Sequence, residues 1–326
     1  MTTLKSYYKD QFKIGAAINM RSIKEDADLL KEQFNSITAE NEMKFEGLQP
    51  EKGQFNFEIS DQFLAFAEEN DMGLRGHTLV WHNQTPDWFF QDDDGNDVSR
   101  DVLLERMKEH IETVVGRYKG RIYAWDVVNE AISDEEGVFL RPSKWLDIIG
   151  EDFLDHAFKF AHAVDPEAKL FYNDYNESNP EKREKIYTLI SGMISRGVPI
   201  HGMGMQAHWN LHEPALTDIE DAIVRYGELG VEIHVTEMDV SVFKFDDKRT
   251  DLIEPTEEME KLQVERYEAF FDLFKKHASK ITSVTFWGVS DRYTWLNDFP
   301  VRGRKNWPFV FDGNNQPKAS FKAITK

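Results

Sequence analysis

The sequence predicts an α/β fold of one domain over residues 1–326, a single (β/α)₈ barrel of the TIM type. Three observations predict it. Eight short apolar runs alternate with helical patterns along the 326 residues, the order expected of parallel strands joined by crossover helices. No Pro- or Ser-rich linker, internal repeat or low-complexity tract interrupts that alternation. Nearly every run ends in amide, imidazole, carboxylate or indole side chains, and the carboxyl ends of barrel strands are where such a fold builds its site. An open doubly wound sheet is the alternative, but no Gly-rich phosphate turn follows the first run.

The expected strands are Phe12 to Ile18, Ser36 to Ala39, Gly73 to Trp81, Arg121 to Val128, Lys169 to Asn173, His201 to His208, Val231 to Glu237 and Ile281 to Trp287. Each is a β-branched or aromatic run of strand length. Between the first two, Ser22 with Glu25 reads as a capping box ahead of Leu29, Leu30 and Phe34. Ser99 precedes Val102, Leu103, Met107, Ile111, Val114 and Val115, which share one helical face. Pro180 and Thr217 each mark a helix start. Thr256, with Met259, opens a long helix carrying Leu262, Tyr267, Phe270, Phe271 and Phe274. Pro317 marks the last start. The run Asp92 to Asp97 reads as a solvated loop, because it lacks the closing glutamate spacing of a calcium loop. The charged segment Lys244 to Glu254 reads as a long loop after the seventh strand.

Composition removes several function classes. The formal charge is −20, from 59 acidic and 39 basic residues, which argues against nucleic acid because phosphate binding needs a basic face. There is no cysteine, hence no disulfide and no thiolate metal site. No apolar run approaches the roughly 20 residues of a membrane helix. The first ten residues lack the apolar core of a secretion signal, so the chain reads as cytoplasmic. The chain has 24 Phe, 10 Tyr and 8 Trp, more indole than core packing usually needs, and tryptophans at strand ends suit stacking on sugar rings.

Two glutamates carry the chemistry. Glu130 closes the run Tyr123 to Glu130, and Glu237 follows the apolar run that begins at Val231. A carboxylate is costly to bury, and two of them on different strands are what glycosidic bond hydrolysis requires. One serves as acid and base, the other as nucleophile or second base. The remaining strand ends supply Asn19, then Glu40, Asn41 and Lys44, then His77, Trp81 and His82. They continue with Asn129, Asn173 to Asn176, Gln206 to Trp209, Asp239 and Trp287. Together these suit a site that hydrogen-bonds many hydroxyls. His77, His82 and His208 raise a metallohydrolase as a rival. The first strand carries no His-x-His, however, and His77 and His82 are too far apart along one strand to share a tetrahedral site easily. No metal and no cofactor is expected.

On these residues the chain resembles the family 10 glycoside hydrolases, the retaining endo-β-1,4-xylanases. The motifs are Thr38-Ala39-Glu40-Asn41-Glu42-Met43-Lys44, Gly76 to His82, Trp125 to Glu130, Tyr172 to Asn176, Gly204 to His208, Thr236 to Asp239 and Phe311 to Lys318. The resemblance spans essentially the whole chain, with no carbohydrate-binding module, and is similar to the intracellular branch. It implies Glu130 as acid/base and Glu237 as nucleophile, with His208 and Asp239 supporting Glu237. It also implies that Asn129 binds the 2-hydroxyl and that Gln206 lies near the nucleophile. Glu40, Asn41 and Lys44 become a polar wall, His77 and Trp81 the lining of the cleavage subsite, Tyr175 a further sugar contact, and Trp287 and Trp295 the aromatic cover. The implied substrate is xylan or xylo-oligosaccharide. A cis peptide at His77-Thr78 is implied as well. The chain departs from the family's usual pattern at Phe45, where Trp is frequent. The Arg292-Tyr293 and Val301 to Trp307 stretches are longer and more basic than the pattern. A β-1,4-glucanase on the same barrel and a sugar-binding barrel without turnover are the alternatives.

Overall fold

The computed structural model describes residues 2–326. The described residues form nine strands: β1 Lys13–Ile18, β2 Ser36–Ala39, β3 Gly73–Trp81, β4 Ala124–Asn129, β5 Lys169–Asp174, β6 Gly202–Met205, β7 His208–Asn210, β8 Glu232–Ser241 and β9 Ile281–Phe286. Every pairing is parallel, running from β6 back to β1, then from β1 to β9 and from β9 to β8. β6 also pairs with β8, which closes the sheet into a barrel. β7 lies outside that ring and pairs only with the upper end of β8, His208 against Asp239.

Two expected strands therefore change shape. The sixth breaks after Met205, because Ala207 takes a left-handed φ of 60° and its N–H donates to the buried Glu177 carboxylate at 3.1 Å. The seventh does not end at Glu237 but runs on to Ser241, because β7 supplies its last residues with a partner. Glu237 lies within the register shift between Val235 and Met238 against β9.

The helix signals at Ser99, Pro180 and Thr256 act as expected. The Ser99 hydroxyl accepts from the Val102 N–H at 3.3 Å, and that of Thr256 from the Met259 N–H at 3.2 Å. Asn179 caps a helix with Pro180 in its first turn, where the missing N–H costs nothing. The expected capping box at Ser22 does not form. Ser22 lies inside the short helix Ser22–Glu25, and its hydroxyl accepts from the Asn19 N–H at 2.9 Å. Asn19 is the side chain that receives the helix's first N–H groups, from Arg21 at 3.0 Å and Ser22 at 2.9 Å.

Phe270, Phe271 and Phe274 of the helix Glu257–Lys276 are buried, as are Leu103, Ile111 and Val114 of Arg100–Arg117. Each such side chain removed from water contributes about 1.5–3 kcal/mol. Gly76 shows how tightly the wall is built: a Cβ there would lie 2.0 Å from Trp125 Cε3. No described helix is long and apolar enough to cross a membrane.

Candidate active site

At the carboxyl end of the barrel Glu130 directly follows β4. Its φ of 57° is left-handed, a conformation that persists only where the surroundings enforce it. Here the Glu130 N–H donates to the Asn173 carbonyl at 2.8 Å, and Arg141 Nε donates to the Glu130 carbonyl at 2.9 Å. The carboxylate accepts from Trp81 Nε1 at 2.9 Å and from Gln206 Nε2 at 3.0 Å. Burial raises its pKa, the Asp174 charge adds to the rise, and the donors Gln206 and Trp81 only partly offset it.

Glu237 is more deeply buried and carries a different set of neighbours. Asn173 Nδ2 donates to it at 3.0 Å, and His208 Nε2 lies 2.9 Å from its other oxygen. His77 Nε2 is 3.6 Å away. Burial alone would raise its pKa. The His208 hydrogen bond and the charges of His77, His208 and Lys44 outweigh that, and the carboxyl lies below its ordinary range. His208 is itself held by Asp239, 3.0 Å from Nδ1. Burial opposes its charge, but the adjacent Asp239 and Glu237 carboxylates raise it well above the ordinary histidine range. Two carboxyl groups, one just after β4 and one within β8, are thus shifted in opposite directions.

Amides orient the space between them. Asn129 Oδ1 accepts from Asn173 Nδ2 at 3.0 Å and from Gln206 Nε2 at 3.1 Å. Its carbonyl is thereby occupied and its NH₂ is left for a sugar hydroxyl, with Glu130 a long 3.4 Å away. Asn173 Oδ1 in turn accepts from Thr236 at 2.6 Å.

His77 is aimed from below. Its Nδ1 lies 2.8 Å from Asp126 Oδ2, and the same carboxylate takes two bonds from Arg75, at 2.8 and 3.0 Å. Arg75 Nε donates to His234 Nδ1 at 3.1 Å. A fully buried polar column thus rises along the barrel interior to Glu237. The His77-Thr78 peptide is cis.

The rim residues gather around the same space. Lys44 Nζ donates to Asn41 Oδ1 at 2.9 Å and to Gln84 Oε1 at 3.1 Å, and lies 4.9 Å from the centre of the Trp81 ring. Burial lowers its pKa, against the pull of Glu237 and Glu40. Glu40, fixed by Asn19 Nδ2 at 3.2 Å, is raised by burial. Glu40, Trp287 and Trp295 share a cavity of about 290 Å³. Trp287 meets His77 edge to face, ring centroids 5.4 Å apart, and Trp295 Nε1 donates to Asp239 Oδ2 at 2.8 Å. Tyr175 stands farther out, where its hydroxyl accepts from Arg141 at 2.7 Å and donates to Asp134.

The structure therefore brings the expected residues to one end of the barrel. It gives Asn173 a direct bond to Glu237 and adds Gln84, Arg75, Asp126 and Glu177, each fixing the atoms of another. Asn173 was visible as a strand-end amide. Arg75 and Asp126 were visible as charges within apolar runs. Nothing in the spacing marks Gln84 or Glu177.

The glycosyl hydrolase family 10 model matches residues 3–326. Endo-1,4-beta-xylanase B of Paenibacillus barcinonensis is 56% identical over 319 residues, covering 98% of this chain and 96% of that one. An endo-1,4-beta-xylanase of Geobacillus stearothermophilus shows the same identity and coverage. Among solved structures, that of xylanase XynB from Paenibacillus barcinonensis with a conduramine derivative superposes with a TM-score of 0.99 at 55% identity, covering 100% of this chain and 98% of that one. A mutant solved in complex with xylotriose gives a TM-score of 0.98 at 47% identity, with full coverage of both chains.

Proposed function

The chain belongs to glycosyl hydrolase family 10, and from that premise we propose that it is a retaining endo-β-1,4-xylanase in which Glu130 is the acid/base and Glu237 the nucleophile. The observation that carries this reading is the opposite direction in which the two carboxyls are shifted, Glu130 raised chiefly by burial and Glu237 lowered by His208, His77 and Lys44. Glu130 begins protonated and gives its proton to the glycosidic oxygen. Glu237 begins ionised and attacks the anomeric carbon, and the aglycone leaves. The glycosyl ester that forms has no charge on Glu237, so one cause of the raised Glu130 pKa is gone. Glu130 then takes a proton from water, which opens the ester.

The other residues serve that sequence by position. The Asn129 NH₂ meets the 2-hydroxyl of the sugar being cleaved. Gln206 fixes the Glu130 carboxylate, and His208, held by Asp239, keeps Glu237 anionic. Glu40, Asn41 and Lys44 bind further hydroxyls, Trp287 and Trp295 cover the ring, and Tyr175 contacts the leaving side. The substrate is xylan or its oligosaccharides, a neutral chain compatible with a protein of charge −20. We read the location as cytoplasmic.

The test is incubation with xylan, xylohexaose and cellohexaose and identification of the products. Shorter xylo-oligosaccharides with intact cellohexaose are expected. Preferential cleavage of cellohexaose would make the chain a β-1,4-glucanase, and no cleavage of any would leave a sugar-binding barrel.

A further inference from the structure

Phe245 and Phe299 are unusual among the aromatic residues in being left in solvent, 64% and 45% exposed. They lie on separate loops, Phe245 after β8 and Phe299 after β9. Their ring centroids are 5.9 Å apart. Phe299 also lies nearly parallel to Trp295, 4.8 Å away with 16° between planes. Trp295 is bonded to Asp239, which holds His208. An aromatic row thus leads outward from the reacting centre to the surface.

The two loops are tied together under that row. Arg304 Nη1 donates to the Asp247 carbonyl at 2.5 Å, and its guanidinium lies 4.0 Å over the Phe243 ring. Asn306 Nδ2 donates to Ser241 Oγ at 2.8 Å, and Asn306 Oδ1 accepts from the Val242 N–H at 3.2 Å. Arg304 and Asn306 belong to the long basic stretch Val301 to Trp307. That stretch therefore clamps the loop carrying Phe245 beside the loop carrying Phe299. Exposed rings held rigid in this way lose little freedom when they bind.

We propose that Phe245 and Phe299 form a stacking platform for an additional pyranose ring of the bound β-1,4-linked chain, beyond the sugar covered by Trp295. The occupant follows from continuity, because the row begins at Trp295 in the cleft and ends at the exposed rings. A pyranose offers an apolar C–H face to an aromatic ring and keeps its hydroxyls in water. The platform rests on the xylan-cleaving reading and names an added feature of its substrate, chain length.

The experiment compares kcat/KM for xylohexaose and xylotriose in the wild type, Phe245→Ala, Phe245→Tyr and Phe299→Ala. The hexaose-to-triose ratio should fall about tenfold in Phe245→Ala, the scale of one lost apolar contact. It should remain near the wild-type value in Phe245→Tyr, which keeps the ring. Phe299→Ala should lower the ratio as well and also weaken triose turnover, because it removes a neighbour of Trp295. An unchanged ratio in Phe245→Ala overturns the platform. So does an equal loss on both substrates. If the wild type cleaves neither substrate, the hydrolase reading fails. The platform is then decided by calorimetric titration with xylohexaose, where equal affinity in the wild type and Phe245→Ala overturns it and weaker binding by the variant supports it.

Discussion

At the residue scale, burial raises Glu130 and charged partners lower Glu237, and single substitutions separate the two roles. Glu130→Ala should slow natural xylosides severely while leaving the fold intact. Substrates with good leaving groups need little acid assistance and should suffer less in the first step. Added azide should restore turnover of those substrates and yield a β-linked azide, since it needs no base to activate it. Equal loss on both substrate types without azide product would remove Glu130 from its role. His208 gives a second prediction. Its hydrogen bond is the largest influence lowering Glu237, so His208→Asn should move the acid limb of the kcat/KM profile to higher pH. The limb falls where Glu237 becomes protonated. A limb that stays in place would assign it to another group. Both carboxylates stood out as candidates in the sequence, because one glutamate closing an apolar run is readily structural but two on different strands are costly to bury without a use. Their partners were less so. Asn173 and Glu237 are 64 positions apart, and Arg75 and His234 are 159 apart. No local pattern encodes contacts of that separation.

At the scale of elements, the eight strand–helix alternations were legible because each run has strand length and each helix has a stripe or a cap. Two expectations failed where a side chain redirected the backbone. Ser22 has the spacing of a capping box, but the Asn19 side chain reaches the first N–H groups instead. The sixth strand looks continuous through His208, but Glu177 captures the Ala207 N–H and turns the chain there. That turn presents Gln206 and His208 to the same site. The buried column along β3, β4 and β8 is also a property of elements. Arg75 and Asp126 are both wholly buried and paired in a two-toothed contact. Arg75→Met would leave the Asp126 charge uncompensated, with an expected loss of about 3–5 kcal/mol in folding stability by denaturant titration. The same change would lower kcat, because Asp126 aims His77. Stability within about 0.5 kcal/mol of wild type would show that the pair is not needed to hold the strands.

At the scale of the whole molecule, acid resistance has a defined lower edge. Asp134 and Glu232 are each lowered to about 2. Burial opposes the lowering of Asp134, and the Lys182 hydrogen bond leads the groups that produce it. For Glu232 the His234 ring, 3.7 Å away, leads. A group depressed in the folded state gives stability that is complete above its unfolded value, about 4 for these carboxyls. That stability is lost as the pH falls through 2. His110, lowered to about 3 by burial, acts in the same direction, from its ordinary 6.5 downward. Glu177 and Asp291 oppose this at higher pH, being raised by burial to about 7 and about 6. Their contribution is complete below the ordinary carboxyl range and falls as the pH rises through those values. The melting temperature should therefore change little between pH 7 and 5 and drop steeply below about pH 4. A steep loss already between pH 7 and 5 would mean that the buried histidines dominate.

Whether Glu237 attacks carbon or activates water decides the stereochemistry of the product. The attack on carbon is tested most directly by following xylo-oligosaccharide hydrolysis by proton NMR from the first turnover. The β anomer should be released first, with the α anomer appearing only at the rate of mutarotation. Initial release of the α anomer would contradict that attack, because a single displacement by water would then leave Glu237 as a base.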